Sequence, residues 1–375
     1  MPNVDSSEAP AGDPGTSLTE QMRWLHARVR HHHPQVHRIA IALYDSRHDT
    51  LKTYVDSSDV ADRLALYERP LADVPSLFEL AHNHSARVID DMAKLQPPHG
   101  EHTLWLLSHG YRSSYTVPLY QSAKLLGFLF FDSRRRGLFD SRLLHELQIY
   151  VQWCRLSVLN MFNLSLAVAG LATNAGERAH LRDIETGRHL DRMSSYSRLI
   201  AKAVAPQFGR NDEFIEHVYL FSPLHDVGKV GVADNLLLKP GRLTDEQRLA
   251  MQEHVALGER LIEEMMLEGG IVSTPYFQVL KNIVRCHHEF LDGSGYPQHV
   301  AGDAVPLEAR IVATADIFDA LTSIRPYRTP CSNDEALLEL KRMADAGQLD
   351  PHCVSALARS RGGVAGIQQK FGLTA

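Results

Sequence analysis

Cysteine is scarce in this sequence and poorly placed for either of its structural uses. The four thiols, Cys154, Cys286, Cys331 and Cys353, lie far apart and form no C-x-x-C pair. A disulfide framework and a thiolate zinc site are thereby excluded as organising features, and a reducing compartment is the expected setting. Positive charge is not in excess either, since 39 Lys and Arg face 45 Asp and Glu for a formal net charge of −6. Proteins that coat a nucleic acid polymer usually carry a basic surface, so that class of partner is disfavoured. A long apolar run is missing too. The uncharged stretch 156–172 falls short of the ~20 apolar residues that a membrane span needs, and it contains Asn160 and Asn163. It reads as a buried or dimer-facing helix, with no membrane partner. Residues 1–17, rich in Pro, Gly, Ser and Asp, read as a disordered tail and not as a signal peptide, so the expected location is cytoplasmic.

What the sequence does have is length and patterning. At 375 residues, 44% hydrophobic and 22% charged, it is long enough for two ordinary globular domains. Residues 21–30 have a helical pattern. Residues 37–44 (HRIAIALY) and 50–55 read as a strand pair about a turn, and 85–89 as a further strand. Residues 113–120 (SSYTVPLY) and 125–131 (LLGFLFF) read as a hairpin. A sheet flanked by helices makes this part α+β. From Asp140 a helix is expected to run to about Leu171, because Leu143, Leu147, Tyr150, Cys154, Val158 and Met161 recur every three or four residues. That stripe could pack on the preceding sheet or form a parallel dimer helix. His31, His32 and His33 read as a solvated helix end, and Arg134, Arg135 and Arg136 as a solvated turn.

The run SSYTVPLYQSAKLLGFLFFDSRRRGLFDSRLLHELQIYVQWC resembles the closing half of a GAF domain. The resemblance implies a sensory or dimerising module over residues 18–150, with an unknown small-molecule ligand among its expected partners.

Beyond about residue 177 the pattern is almost wholly helical, and its histidines and carboxylates are grouped. Glu185 and His189 are four apart, on one face of a helix. His225 and Asp226 are adjacent in LHDVGKVG, His254 lies in EHVALG, and His287 and His288 stand in RCHHEFLDGSGYP. Asp316 interrupts the apolar segment ATADIFDAL. An ionised carboxylate buried without a partner is costly, so Asp316 calls for one. Imidazole and carboxylate without thiolate suit Fe, Mn, Zn, Co or Ni, and the ligand types do not choose among them.

The same residues carry a second resemblance. The H-D pair with a distant His and a distant Asp resembles the HD metal-dependent phosphohydrolases. The segments DIETGRHLDRM, HDVGKVGVADNLLLKPGRLT, HHEFLDGSGYP and VPLEARIVATADIFDALTSIRPYR resemble, in order, the motifs of the HD-GYP family. The resemblance implies an all-α helical bundle over residues 177–375, joined to the GAF-like module by a connecting helix over 141–176. It implies a phosphodiesterase that opens cyclic di-GMP to linear pGpG and often onward to GMP, the final product being left open. The implied metal ligands are Glu185, His189, His225, Asp226, His254, His287, His288 and Asp316, holding two or three divalent ions, iron or manganese foremost. Asp226 would bridge ions, and Lys229 would reach a phosphate oxygen. Gly293, Gly295, Tyr296 and Pro297 would form a loop beside the site, and Arg325 and Arg328 would support substrate. A homodimer and GGDEF-type signalling partners are also implied. No nucleophilic Ser or Cys motif is needed for this chemistry. The chain departs from the family pattern at Val255, where Pro is usual, at Phe290, where a basic residue is usual, and at His299 and Val300, where Gly and Leu are usual. These changes put substrate grip in question, not the ligands. A hydrolase for another cyclic dinucleotide or a nucleotide, and a non-catalytic signalling receptor, are the alternatives.

Overall fold

The Ser17 side chain accepts a hydrogen bond from the backbone N–H of Glu20, and the backbone N–H of Ser17 donates in turn to the Glu20 carboxylate. This reciprocal cap starts helix α1 (Leu18–His32). The computed structural model describes residues 17–46, 49–58, 64, 67–96, 100–180, 187–239, 241–268, 275–323 and 330–372; within these, the side chains of 161, 163–180, 187, 268, 275 and 276 are not described. The chain divides into two compact units, Met1–Asn163 and Leu164–Ala375.

In the first unit the strands are β1 (Arg38–Asp45), β2 (Thr50–Ser58), β3 (Glu68–Pro70), β4 (Arg87–Ile89), β5 (Ser113–Gln121) and β6 (Lys124–Ser133). Helices α2 (Pro75–Asn83) and α3 (Glu101–Ser108) lie between them, and α4 (Ser141–His180) follows. The sheet order is β3-β2-β1-β6-β5-β4, with antiparallel pairing throughout. The unit is therefore α+β, as the pattern of the sequence leads one to expect. Alternation along β1 and β6 gives the sheet two apolar faces. Ile39, Ile41, Leu43, Leu129 and Phe131 join a core with Met22, Leu25 and Val29 of α1 and with Leu143, Leu147, Cys154 and Val158 of α4. Ala40, Ala42, Phe128 and Phe130 meet Leu71, Leu77 and Leu80 on the other face. From Leu143 to Val158 the periodic stripe of α4 thus packs into this core. β3 is an element that the sequence pattern does not announce.

A charge sits inside this sheet. Arg38 is 2% exposed and donates from Nε to Asp56 Oδ2 at 2.7 Å and from Nη1 to Asp132 Oδ2 at 2.5 Å. Asp132 is directly opposite Arg38 in the β1–β6 register. Burial works against the guanidinium's charge, but the two carboxylates outweigh it and raise its pKa. Burial also raises the Asp132 carboxyl, and Arg38 offsets this only in part.

The second unit is all-α: α5 (Gly187–Val204), α6 (Asp212–Phe221), α7 (Asp234–Leu237), α8 (Asp245–Glu268), α9 (Pro275–Cys286), α10 (Leu307–Thr322), α11 (Asn333–Asp345), α12 (Pro351–Arg359) and α13 (Arg361–Phe371). Met193, Tyr196, Ile200 and Val204 of α5 pack into one core with Ile283 and Val284 of α9, Ile311, Val312 and Phe318 of α10, and Leu357 of α12. Helix α10 is buried on nearly every side, which explains its apolar sequence. Asp316 and Asp319 are therefore embedded in it for a reason other than solubility. Among the described residues, no helix is long and apolar enough to cross a membrane.

Candidate metal centre

Five segments of the second unit converge on one place. His189 comes from α5, His254 from α8, and Asp316 from α10. His225 and Asp226 lie between two short 3-10 turns, Ser222–Leu224 and Val227–Gly231, and His287 and His288 directly follow α9. The second 3-10 turn can lie against α8 only because two glycines meet there. A methyl group on Gly228 would overlap the backbone carbonyl of His254 and the backbone of Gly258. This contact brings the His225–Asp226 pair to His254.

The donor atoms fall into two groups. One atom each of Asp226, His254, His287 and His288 lie within 4.8 Å of one another, as do one atom each of His189, His225 and Asp316. Asp226 joins the groups: its Oδ2 is 3.0 Å from His225 Nε2, and its Oδ1 is 3.1 Å from His254 Nε2 and 3.6 Å from His287 Nε2. Lys229 Nζ is 2.8 Å from Asp226 Oδ2.

The rings are held with their Nε2 atoms pointing inward. Nδ1 of His225 lies 2.9 Å from the carbonyl of Ser222, Nδ1 of His254 lies 2.7 Å from that of Met251, and Nδ1 of His287 lies 3.1 Å from those of Ile283 and Val284. Each Nδ1–H donates to a carbonyl three or four residues back, which assigns the tautomer and leaves a lone pair on Nε2. Nε2 of His254 and of His287 and Oδ1 of Asp226 are buried and meet no hydrogen-bond donor among the described residues. A buried acceptor left without a donor costs about 1–3 kcal/mol. Three of them facing one another fit a divalent cation, which would satisfy all three at once.

Protonation agrees with that donor set. Burial holds His287 below the usual imidazole range, and burial together with the neighbouring His287 holds His288 well below it. Burial opposes the charge of Asp226, but Lys229 and His225 prevail and keep its carboxyl well below the usual carboxylate range. His287 and His288 thus offer neutral imidazoles, and Asp226 an ionised carboxylate.

The loop beside the cluster is tightly fitted. Tyr296 stacks on His288 with ring centroids 4.6 Å apart, and its backbone N–H donates to the His288 carbonyl. Burial, and Asp226 after it, push the Tyr296 hydroxyl up, so it stays protonated. A side chain at Gly295 would run into the backbone of His288, Glu289 and Phe290. Gly293 has φ +77°, and Pro297 follows a cis peptide bond.

Two departures from the family pattern acquire a physical meaning. Phe290 is partly buried and packs against the core. His299 has φ +55°, in the left-handed region where the family's glycine would be unstrained. A non-glycine residue there carries roughly 1–2 kcal/mol of strain. His299→Gly is therefore expected to be more stable than His299→Ala by about 1 kcal/mol in urea unfolding followed by far-UV circular dichroism. Equal stability of the two variants would remove the strain argument. Val255 is buried within the unbroken helix α8.

Glu185, Arg325 and Arg328 lie outside the described residues. A second set of residues escaped the sequence reading. Asp319 Oδ2 lies 2.6 Å from His189 Nδ1, and Arg192 Nε donates to Asp319 Oδ1 at 2.7 Å. Burial raises the Asp319 carboxyl, but the bonds from His189 and Arg192 overcome this and lower it. The available signal was the spacing: Asp319 follows Asp316 by three residues, and Arg192 follows His189 by three.

Residues 184–353 match the family model of the HD domain. This part of the chain is similar to the HD domain family. Its metal-type cluster is the one just described, with His225 and Asp226 as the adjacent His-Asp pair. The chain is similar to the cyclic di-GMP phosphodiesterase response regulator RpfG of Xanthomonas campestris pv. campestris, 43% identical over 191 residues that cover 51% of this chain and 47% of that protein. It is also similar to a cyclic di-GMP phosphodiesterase of Vibrio cholerae, 41% identical over 42% of this chain and 32% of that protein. The 3'3'-cGAMP-specific phosphodiesterase 2 of the same organism is 34% identical over 56% of this chain and 39% of that protein. The chain spans a third to a half of the length of these curated relatives. Among solved structures, the GAF domain of a two-component sensor histidine kinase from Bacillus halodurans aligns with 40% of this chain and 97% of its own, at 16% identity and TM-score 0.34. The GAF domain/HD domain protein from Geobacter sulfurreducens aligns with 37% of this chain and 91% of its own, at 14% identity and TM-score 0.32.

Proposed function

We propose that this chain is a cytoplasmic metal-dependent phosphodiesterase that opens cyclic di-GMP to linear pGpG and onward to GMP. The observation that carries the reading is the pair of donor groups joined at Asp226, its Oδ1 facing His254 and His287 and its Oδ2 facing His225. His189, His225, Asp226, His254, His287, His288 and Asp316, with Glu185, would hold two or three divalent ions, iron or manganese. Such ions, when bound, polarise a phosphoryl oxygen and make water a potent nucleophile at neutral pH.

The chain's own residues supply the rest. Asp226, ionised and 12% exposed at its side chain, keeps negative charge at the centre of the cluster. The Lys229 ammonium, 2.8 Å from that carboxylate and 21% exposed, is placed to swing its charge onto a phosphoryl oxygen, where negative charge grows as the P–O bond breaks. Tyr296, held on His288 by stacking and by its backbone bond, forms one wall of the site with Gly295 and Pro297. Arg325 and Arg328 would support the substrate.

The arrangement we propose for the whole chain is a GAF-like regulatory domain over 18–150, a connecting helix over 141–176 and the catalytic domain over 177–375. It would act as a homodimer, with a small-molecule ligand of the GAF-like domain and GGDEF-type proteins as further partners. Support for the dimer comes from α4, whose outward face carries Ile149 and Leu156, seven residues apart and both exposed.

A second substrate has a specific observation in its favour, because cGAMP-specific relatives match this chain as well. Protein loaded anaerobically with Fe(II) or Mn(II) should be given cyclic di-GMP and 3'3'-cGAMP in parallel, with products separated by chromatography. Consumption of cyclic di-GMP faster than 3'3'-cGAMP is the expected result. Faster loss of 3'3'-cGAMP would move the chain to the other substrate. No turnover of either, by protein shown by metal analysis to hold two or three ions, would sink the enzyme reading.

A further inference from the structure

Four of the five histidines of the cluster are held through Nδ1, but not in one way. Three of them, His225, His254 and His287, are fixed by carbonyls of their own chain segments. His189 is fixed by a carboxylate from another helix, since its Nδ1 lies 2.6 Å from Asp319 Oδ2. Asp319 is fully buried. It also accepts from Arg192 Nε at 2.7 Å and Nη2 at 3.0 Å, and from Ser323 Oγ at 3.0 Å. Arg192 Nη2 reaches Ser323 Oγ as well, at 2.8 Å. The carboxylate is thus neutralised by one guanidinium and oriented from several directions, with the imidazole as one of its donors.

We propose that Asp319, backed by Arg192 and Ser323, is a positioning residue that sets the tautomer and ring direction of His189 for metal binding. This rests on the metal reading of the site. With Nδ1–H committed to Asp319, the remaining ring nitrogen of His189 presents its lone pair toward Asp316, 3.9 Å away. A carboxylate behind a ligating imidazole increases the ring's basicity and fixes its orientation, and losing such an outer partner costs about 10–100-fold in metal affinity. The effect is confined to one half of the cluster. The ion held by His189, His225 and Asp316 depends on Asp319, and the group of Asp226, His254, His287 and His288 does not.

The test compares wild type with Asp319→Asn by equilibrium dialysis against Mn(II), with circular dichroism to confirm folding. The asparagine keeps the shape but turns an amide N–H₂ toward donors. The expected result is loss of affinity by about 10–100-fold for one class of ion, with the other class unchanged. A purely structural salt bridge would not split the two classes. Ring ¹⁵N spectra of Zn(II)-loaded protein should also show His189 losing its Nδ1–H tautomer in the variant. Should Asp319→Asn fail to fold, Ser323→Ala removes a single hydrogen bond to the same carboxylate and is expected to weaken that class alone by about two- to tenfold. A folded variant that holds every ion with wild-type affinity would overturn the assignment. Wild-type protein that retains no Mn(II) would overturn the metal reading itself, and this assignment with it.

Discussion

Asp226→Ala is expected to lower turnover of the cyclic dinucleotide by at least about 10³-fold while leaving the metal-free protein folded. The magnitude follows from position. Loss of an outer partner of a metal ligand costs about 10–100-fold, and Asp226 stands inside that shell, its two oxygens divided between the two donor groups. It is also the close counter-charge of Lys229, at 2.8 Å. Removing it leaves an ammonium facing His225, His254 and His287 with no anion between them. A cation added to that place would meet like charge where it now meets opposite charge. Stability gives an independent reading of the same event. Mn(II) at 100 times its Kd should stabilise wild type by about 2.7 kcal/mol through binding to the folded state alone. The variant should show little of this gain. Chromatographic turnover, metal analysis and thermal unfolding with and without Mn(II) measure the three effects. A variant that keeps its ions and works within tenfold of wild type would show that Asp226 does not bridge the groups.

The residues of the donor cluster were legible because they lie in short contiguous motifs whose order along the chain survives in the sequence. Their convergence was not, since His189 and Asp316 are brought together by the packing of α5 on α10. Asp319 shows where motif reading stops. A carboxylate in an apolar helix needs a partner at Asp319 as much as at Asp316, three residues earlier. The partner of Asp319, Arg192, is 127 residues away, at a distance no local pattern reaches. The strands tell the same story. β1, β2, β5 and β6 declare themselves by apolar alternation and turn residues. β3 is three residues long and polar, and it exists because Thr50, Leu51 and Lys52 of β2 offer it an edge. The left-handed backbone at His299 was foreshadowed only by the glycine that the family places there.

Arg38→Met is expected to destabilise the first unit by about 3–5 kcal/mol at neutral pH, the usual cost of leaving a buried charge without its partner. The loss should shrink as the solution is made more acidic. In wild type the Asp132 carboxyl is already raised by burial despite Arg38 beside it. Without the guanidinium it must rise further. For a carboxyl raised in the folded state, the native protein binds more protons than the unfolded chain between the two pKa values. Its contribution is therefore most favourable below the unfolded value and is lost as pH climbs through the folded one. Acid thus relieves the variant by neutralising Asp132. His102 acts in the same direction. Burial first, then Arg38 and Arg87, lower its pKa to about 3, so acid destabilises the wild-type fold by charging this imidazole in the unfolded chain. Taking Arg38 away removes one of those causes and weakens that acid penalty. The gap between variant and wild type should narrow from pH 8 to pH 5. All three tryptophans, Trp24, Trp105 and Trp153, belong to the first unit, and Trp105 lies under the Arg38 guanidinium at 5.4 Å. Urea unfolding followed by tryptophan fluorescence therefore reads this unit alone. A gap that stays constant or widens on acidification would mean that Asp132 is not held ionised by Arg38, and that the buried charge of the sheet is balanced some other way.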